Sequence, residues 1–496
     1  MFVRLASAIA LLASFPAIAV QDDLISEREA DTARQLMEMG LASDTGYEIV
    51  RSLTTEVGPR LGGSQQEARA RDWAVQMFTE LGFSNVRVEP FEMPFWNRGP
   101  ISAAIITPFP QPMLASALGG SAATPQGGLN AEIVFFDSFD ALRDFDGSLE
   151  GRMAYVNDRM VRAMTGAGYG PANDKRRFAW LEAEARGAAG VMIRSVGTDS
   201  HRFPHTGMMS TPRADTVASG THSQAVIDYL ESEHPDFTER RVWSSIPAVA
   251  LSAPDADQIE RIHEAGETVR VSLSVVAGWR GNRQSGNVVA EIPGRERPEE
   301  VVLIGAHLDS WDEATGAVDD GAGVGIVTAA AHLIDQLPRA PRRTIRVVLF
   351  GAEEVGLLGA FAYASDNEAD VPNIVMASES DFGAGRVWSL TSGTGEEGTR
   401  FMDEAQRIIS PLGIIRGSRA SRGGGPDIIP LAARGVPVFR LTQDGTDYFD
   451  LHHTPDDTFD KIDPEALAQN VAAWAAITWL IAETDVEFRT VTDDSE

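Results

Sequence analysis

From residue 286 onward, short apolar runs alternate with helix-like stretches. The runs that predict strands read NVVAEI, VVLIGAH, TIRVVLF, NIVMASES and VPVFRLT. Several are apolar at nearly every position, which is typical of strands covered by helices on both faces. This alternation restricts the chain to an α/β fold in which helices sandwich a mostly parallel mixed sheet. In such sheets, ligands bind beyond the carboxyl ends of the strands.

The middle of the chain has strand signals of its own. Prolines at 94, 100, 108 and 110 mark a change in composition, and strand-like runs such as AEIVFF and IPAVAL follow. A length of 496 residues also suggests more than one domain. We therefore expect a domain in two segments, 20–100 and 276–496, with a second domain, 101–275, inserted between them.

The first residues have the pattern of an export signal. Residues 1–19 combine Arg4, an apolar middle and a terminal Ala-x-Ala, which predicts a signal peptide cleaved after Ala19. No other run is apolar for long enough to suggest a membrane span. The sequence therefore predicts a secreted or periplasmic protein without a membrane partner.

Charge and cysteine content restrict the chemistry. The chain has 72 acidic and 42 basic residues, a net charge of −30, which disfavours binding to nucleic acid or anionic lipid. It has no cysteine, which excludes a thiol nucleophile and thiolate-bound zinc. Any metal must be held by His, Asp and Glu.

Polar residues follow the predicted strands at the sheet edge where ligands bind. These candidates are His307 and Asp309 after VVLIGA, Asp319 and Asp320 before the helix GAGVGIVTAAAHLI, Glu353 and Glu354 after TIRVVLFGA, Asp381 after NIVMASES, and His453 in DYFDLHHTPDDTFD. One acidic loop alone would be ordinary solvated surface. Their concurrence at successive strand ends indicates a site.

The donor types favour a particular metal. Imidazole and carboxylate without sulfur fit zinc or manganese better than copper or an iron–sulfur cluster. The carboxylates of Asp319, Glu354 and Asp381, with one hydroxide, would neutralise two Zn²⁺ ions in a partly buried cleft. The sequence therefore favours two zinc ions per chain.

Several longer motifs are specific enough to carry a resemblance. They read GPRLGGS at 58–64, PFWNRG at 94–99, FPHTG at 203–207, GNVVAEIPG at 286–294, AHLDSWD at 306–312 and FDLHHTPDDT at 449–458. Together they resemble the co-catalytic dizinc exopeptidases of metallopeptidase clan MH, and within them the plasma glutamate carboxypeptidase (carboxypeptidase Q) branch. The resemblance implies the zinc-exopeptidase fold, an inserted domain of the protease-associated type and a homodimer.

The resemblance also implies roles for single residues. The implied metal ligands are Asp319 between two zinc ions, His307 and Asp381 on one of them, and Glu354 and His453 on the other. The other implied roles are Glu353 as general base, Asp309 as the group that orients His307, and Tyr448 as a hydrogen-bond donor to the reacting carbonyl. The family motif selects His453 over its neighbour His452, and it implies a cis peptide bond between Asp319 and Asp320.

These roles imply a secreted dizinc metallopeptidase that hydrolyses dipeptides or removes N-terminal residues from short peptides. Two alternatives stay open. A glutaminyl-cyclase-like acyltransferase on the same fold would work with one zinc ion. A non-catalytic binding homologue would keep the fold and lose ligands, whereas every ligand position is occupied here.

Overall fold

The computed structural model describes residues 23–417 and 423–489. The predicted signal peptide lies outside these residues. The helices are α1 Glu27–Ala42, α2 Thr45–Ser52, α3 Gln65–Glu80, α4 Phe139–Arg143, α5 Tyr169–Glu184, α6 Ala214–Ala218, α7 Gln224–Glu233, α8 Ala253–Glu264, α9 Ala322–Asp335, α10 Leu358–Asp366, α11 Glu396–Ile409, α12 Ile429–Ala432, α13 Tyr448–Leu451 and α14 Pro464–Glu483. Short helical turns of other types are Leu53–Val57, Ala317–Gly321, Val371–Asn373, Ser410–Leu412 and Phe459–Lys461.

The strands form one connected sheet. They are β1 Ser84–Thr107, β2 Gln111–Met113, β3 Ala115–Ala117, β4 Leu129–Phe136, β5 Met153–Val156, β6 Gly190–Arg194, β7 Ala248–Leu251, β8 Arg270–Ile292, β9 Arg297–His307, β10 Arg343–Phe350, β11 Ile374–Glu379, β12 Val387–Gly393, β13 Ile415–Arg416 and β14 Val438–Gln443. Their order is β13-β12-β14-β11-β9-β10-β8-β4-β5-β6-β7-β3, and β1 pairs with β8 and β2.

The strand directions confirm the predicted fold class. Strands β14, β11, β9 and β10 are parallel to their neighbours in that row, whereas β8 is antiparallel to β10 and β12 is antiparallel to β14. A second parallel run joins β4, β5, β6 and β7. Every residue of β10 is buried, as expected for a strand covered on both faces.

Two long strands connect the two parallel runs. Strands β1 and β8 pair antiparallel from Ser84↔Glu291 to Thr107↔Arg270. The sequence suggested separate strands on either side of residues 276–286 and a break near the prolines, but β8 is continuous and β1 passes through Pro94 and Pro100. Register shifts next to these prolines, between Pro94 and Trp96 and between Arg98 and Ile101, accommodate residues that lack a backbone N–H.

The predicted domain boundaries lie inside these two strands. Ile101 pairs with Val275, so the two boundaries lie side by side in the sheet. Residues 101–275 contain β2 to β7 and α4 to α8, beyond the shared ladder. Whether this part forms an independent inserted domain stays a prediction.

The central helices α9 and α14 are buried at almost every position because protein surrounds them. Helix α14 is buried continuously from Gln469 to Glu483, and α9 packs against it and against β9. The segment Ala317–Asp335 is long and apolar enough to cross a membrane, although the sequence suggested no such run; 94% of an 18-residue window within it is buried inside the protein, as in a core helix.

A glycine on α1 tests this helix packing. An ideal Cβ on Gly40 would lie 2.5 Å from the Ala472 Cα of α14, so Gly40→Ala must push the helices apart. We expect the free energy of unfolding to fall by about 1–3 kcal/mol, measured by urea denaturation. The control is Gly170→Ala in α5, where nothing lies within 4 Å of the added carbon. Equal stability of Gly40→Ala and the wild type would contradict the close approach.

Candidate metal centre

The carboxyl ends of neighbouring strands bring the predicted site residues together. His307 is the last residue of β9, Glu353 and Glu354 follow β10, and Asp381 follows β11. Tyr448 begins α13, beyond the end of β14. Because β9, β10, β11 and β14 are parallel, their carboxyl ends share one edge of the sheet.

The ring of His307 is held in one orientation. Its Nδ1 lies 3.0 Å from the carbonyl oxygen of Asp309, which can only accept a hydrogen bond, so Nδ1 carries the proton. Its Nε2 lies 3.1 Å from Oδ1 of Asp319 and 3.8 Å from Oδ1 of Asp381. The free ring nitrogen therefore points at two carboxylates, which is the arrangement of a metal ligand.

Asp319 is the centre of the cluster. Its Oδ2 lies 3.3 Å from Nε2 of His453 and 3.6 Å from Nε2 of His452. Nε2 of His453 also lies 2.9 Å from Oε2 of Glu354. Asp319 is thus the carboxylate between the His307 side and the His453 side, and both histidines of the pair point toward it. The peptide bond between Asp319 and Asp320 is cis, as the resemblance implied.

Unpartnered oxygens indicate that the cluster fits a cation. Among the described residues, Oδ2 of Asp319 and Oε1 of Glu354 are buried without a hydrogen-bond partner. Three overlapping groups of His, Asp and Glu ligand atoms each lie within 4.8 Å of one another. One group includes Asp320, but its oxygens already accept the N–H groups of His307 at 3.1 Å and Gly323 at 3.0 Å. Within these three groups, the buried carboxylate oxygens that lack a hydrogen-bond partner are therefore those of Asp319 and Glu354, and beside the groups Oδ2 of Asp309 lacks one as well.

The pKa shifts reflect the same surplus of negative charge. Burial raises the pKa of Asp381 to about 8, and the charges of Asp319 and Glu379 add to this effect. Burial also raises the pKa of Glu354. Burial would lower the pKa of His453, but Glu354 and Asp319 raise it to about 9. All these carboxylates can ionise together only when positive charge is added.

The remaining predicted residues surround the cluster. Glu353 is partly exposed in the cleft, and burial together with Asp381 and Glu354 raises its pKa well above the usual range. The backbone N–H of Glu353 donates to Oδ1 of Asp309 at 2.9 Å. Asp309 thus contacts His307 through its carbonyl, whereas its carboxylate holds Glu353 and lies 3.7 Å from Nδ1 of His307. Tyr448 is buried, which raises the pKa of its hydroxyl.

Asp457 supports the turn that carries Asp319. Its Oδ1 accepts the N–H groups of Ala317 at 2.9 Å and Val318 at 2.6 Å, and its Oδ2 accepts that of Asp319 at 3.1 Å. Asp457 lies in the FDLHHTPDDT motif and was not predicted to have this role. The acidic run TPDDT was the available signal, but nothing in it shows three backbone contacts.

Arg60 connects the GPRLGGS motif to the same turn. Its guanidinium is fully buried and donates to the carbonyl oxygens of Leu308 at 2.5 Å, Thr315 at 2.5 Å and Gly316 at 2.9 Å. Burial lowers its pKa, whereas the nearby carboxylates of Asp457 and Asp309 act to raise it. The motif therefore supplies a buried cation beside the acidic cluster.

The region 101–275 contacts the segment that carries His453. Nη1 of Arg176 lies 3.2 Å from Nδ1 of His453 and donates to the Thr206 carbonyl at 3.3 Å. The N–H of Thr206 donates to the His453 carbonyl at 3.0 Å. Nδ1 of His205 in the FPHTG motif lies 2.8 Å from the His452 carbonyl, so this histidine has a packing role. The φ of +61° at His453 lies in the left-handed region, which few non-glycine residues adopt.

These residues line a cleft of about 980 Å³. One wall comes from the sheet edge, with Asp319, Glu353 and Tyr448. The other comes from residues 165–177, 208–214 and 237–243 of the middle region. The cleft is large enough for a short peptide, since ligand pockets commonly have volumes of about 300–1,000 Å³.

Comparison with known proteins places this arrangement among peptidases. Residues 287–478 match the model of peptidase family M28. Carboxypeptidase Q of Bos taurus is 32% identical over 462 residues, covering 92% of this chain and 89% of that protein. The crystal structure of a peptidase M28 precursor from Shewanella amazonensis is 45% identical, with a TM-score of 0.86, over 94% of this chain and 99% of that chain. A zinc aminopeptidase from Bacillus subtilis has the same fold, at 20% identity, a TM-score of 0.62 and coverage of 90% of this chain and 97% of that chain.

Removing the charge of Asp457 tests its support of the cluster. In Asp457→Asn, the amide NH₂ would replace one of the accepting oxygens and face a backbone N–H. We expect zinc affinity to fall about 10- to 100-fold, measured by competition with a chromogenic chelator. The control is Asp456→Asn, because Asp456 is the adjacent carboxylate and pairs with Lys461 at 3.2 Å outside the cluster. Equal zinc affinity in both variants would argue against the supporting role.

Proposed function

Since the chain belongs to peptidase family M28, we propose that it is a secreted or periplasmic dizinc exopeptidase that hydrolyses dipeptides or removes N-terminal residues from short peptides. The zinc ligands proposed are Asp319 shared by both ions, His307 and Asp381 on one ion, and Glu354 and His453 on the other.

One observation carries the proposal. Imidazole and carboxylate groups from separate chain segments converge in a buried cluster in which Asp319 lies between two histidine-bearing sides. The oxygens of Asp319 and Glu354 that lack a hydrogen-bond partner leave lone pairs that a metal cation can use. These are zinc donors, and zinc supplies Lewis-acid polarisation of a carbonyl and lowers the pKa of water toward about 7.

Three side chains would carry the proton and hydrogen-bond chemistry. Glu353 takes the proton of the attacking water and returns it to the leaving amine. Asp309 fixes the backbone of Glu353. Tyr448 stays protonated, and its hydroxyl donates to the oxygen of the reacting carbonyl as negative charge develops there.

The cleft supports exopeptidase action on short substrates. The middle region covers the side of the cleft opposite the sheet edge, so a long chain would have to pass between two walls. The proposal includes export, which the N-terminal sequence predicts. It also includes the homodimer that the resemblance implies. The acyltransferase alternative differs in metal content, because it would use one zinc ion.

Replacing the proposed base gives a direct test. We expect Glu353→Gln to keep its zinc and to lose about 10²- to 10⁴-fold in kcat on dipeptides, because the amide cannot accept the proton of water. The control is Glu239→Gln, since Glu239 is an exposed acid on the same cleft. Turnover of Glu353→Gln close to that of the wild type would remove Glu353 as the base.

Metal counting separates the two histidines and the two enzyme classes. We expect two zinc ions per wild-type chain by mass spectrometry of elements, one or fewer in His453→Ala, and two in His452→Ala. The reason is that His453 contacts both Glu354 and Asp319, whereas Nδ1 of His452 has no partner among the described residues and its Nε2 lies farther from Asp319. One zinc ion in the wild type would favour the acyltransferase, and loss of zinc only in His452→Ala would reverse the assignment.

A further inference from the structure

The wall of the cleft is rich in arginine, in contrast to the chain as a whole. The chain has 72 acidic and 42 basic residues. Outside the metal cluster, Glu239 is the one carboxylate among the described lining residues. The arginines that line the cleft are Arg176, Arg177, Arg213, Arg240, Arg241 and Arg440. A cleft with this balance attracts anionic ligands, although the molecule as a whole repels them.

Most of these arginines are already engaged. Arg176 contacts Thr206 and His453, and Nε of Arg177 donates to Oγ of Ser210 at 3.0 Å. Two others form exposed ion pairs. Nε of Arg213 lies 3.1 Å from Oδ1 of Asp215, and Nη1 of Arg240 lies 3.3 Å from Oδ2 of Asp236. Arg241 is exposed, and its guanidinium lies 5.8 Å from the ring centre of Trp243.

Arg440 differs in its position and partners. It lies on β14, next to the strand that leads to Asp381, and its side chain is half-buried. Its guanidinium makes no hydrogen bond or ion pair with any residue in the described part of the chain. Its guanidinium carbon lies 5.8 Å from the ring centre of Phe382, the residue after Asp381. The positive charge of Arg440 acts to lower the pKa of the buried Glu379, although the two side chains form no ion pair.

A half-buried guanidinium without a counter-ion has donors available for a ligand. Its planar fork matches the two oxygens of a carboxylate. We propose that Arg440 binds a carboxylate of the peptide substrate and thereby determines which short peptides the enzyme prefers. This inference rests on the proposed peptidase function. The carboxylate can be the free C-terminus of a dipeptide or an acidic side chain, and the experiment separates the two.

The test compares matched substrates that differ by one charge. Ala-Ala against Ala-Ala amide reports on the C-terminal carboxylate, and Ala-Glu against Ala-Gln, with Glu-Ala against Gln-Ala, reports on acidic side chains. We expect the wild type to favour the charged member of at least one pair in kcat/KM. In Arg440→Gln that preference should fall about 10- to 100-fold, with the neutral substrate affected little. The pair that changes identifies the source of the carboxylate.

Two further variants sharpen the outcome. Arg240→Gln removes a paired arginine from the same cleft and should leave every preference unchanged. Arg440→Lys keeps the charge without the fork and should retain part of the preference; it decides the case if Arg440→Gln fails to fold. Hydrolysis with preferences unchanged in both Arg440 variants would overturn the inference alone. A zinc-loaded wild type that hydrolyses none of these peptides would overturn the proposed function, and the inference with it.

Discussion

The structure depends on how it accommodates negative charge at one edge of a buried sheet. Asp319, Glu354, Asp309, Asp320 and Asp457 all have low exposure there. Like charges that are buried close together cannot all ionise unless positive charge offsets them. Backbone N–H groups satisfy Asp320 and Asp457, and the buried guanidinium of Arg60 adds a fixed positive charge. Asp319 and Glu354 keep unpartnered oxygens, which is where we propose that zinc binds.

The same edge is where the two parts of the chain meet. The strand ends supply His307 and the carboxylates, but the segment with His453 is held by the middle region. Thr206 pairs with it through the backbone, Arg176 contacts the ring, and Arg162 bonds to Asp450 at 2.7 Å. The middle region therefore does more than line the cleft. It contacts the backbone of His453, a proposed zinc ligand, in a left-handed conformation that few non-glycine residues adopt.

Sequence patterns predicted the local elements and the chemistry well, and long-range contacts poorly. Apolar runs located β9, β10 and β11, and the polar residues after them lie together as expected. The pattern missed the continuity of β8, because a polar stretch separates its two apolar runs. It also missed the roles of Asp457, Arg60 and Arg176. Their contacts join residues far apart in the chain, such as Arg60 to Thr315 and Arg176 to His453, and no periodicity encodes such pairs. The choice of His453 over His452 came from resemblance, since both rings point toward Asp319.

The paired strands β1 and β8 have a mechanical consequence. They run without interruption from the part of the sheet below the metal centre into the part that supports the opposite wall. A hinge between the walls would have to bend both strands at once and disrupt backbone hydrogen bonds on either side of the register shifts, whereas two domains joined by a flexible linker could swing freely. We therefore expect the mouth of the cleft to keep a nearly constant width. Substrates and products would then enter and leave by diffusion through an opening of fixed size. The dimensions of this opening would limit the size of the peptides that reach the metal centre.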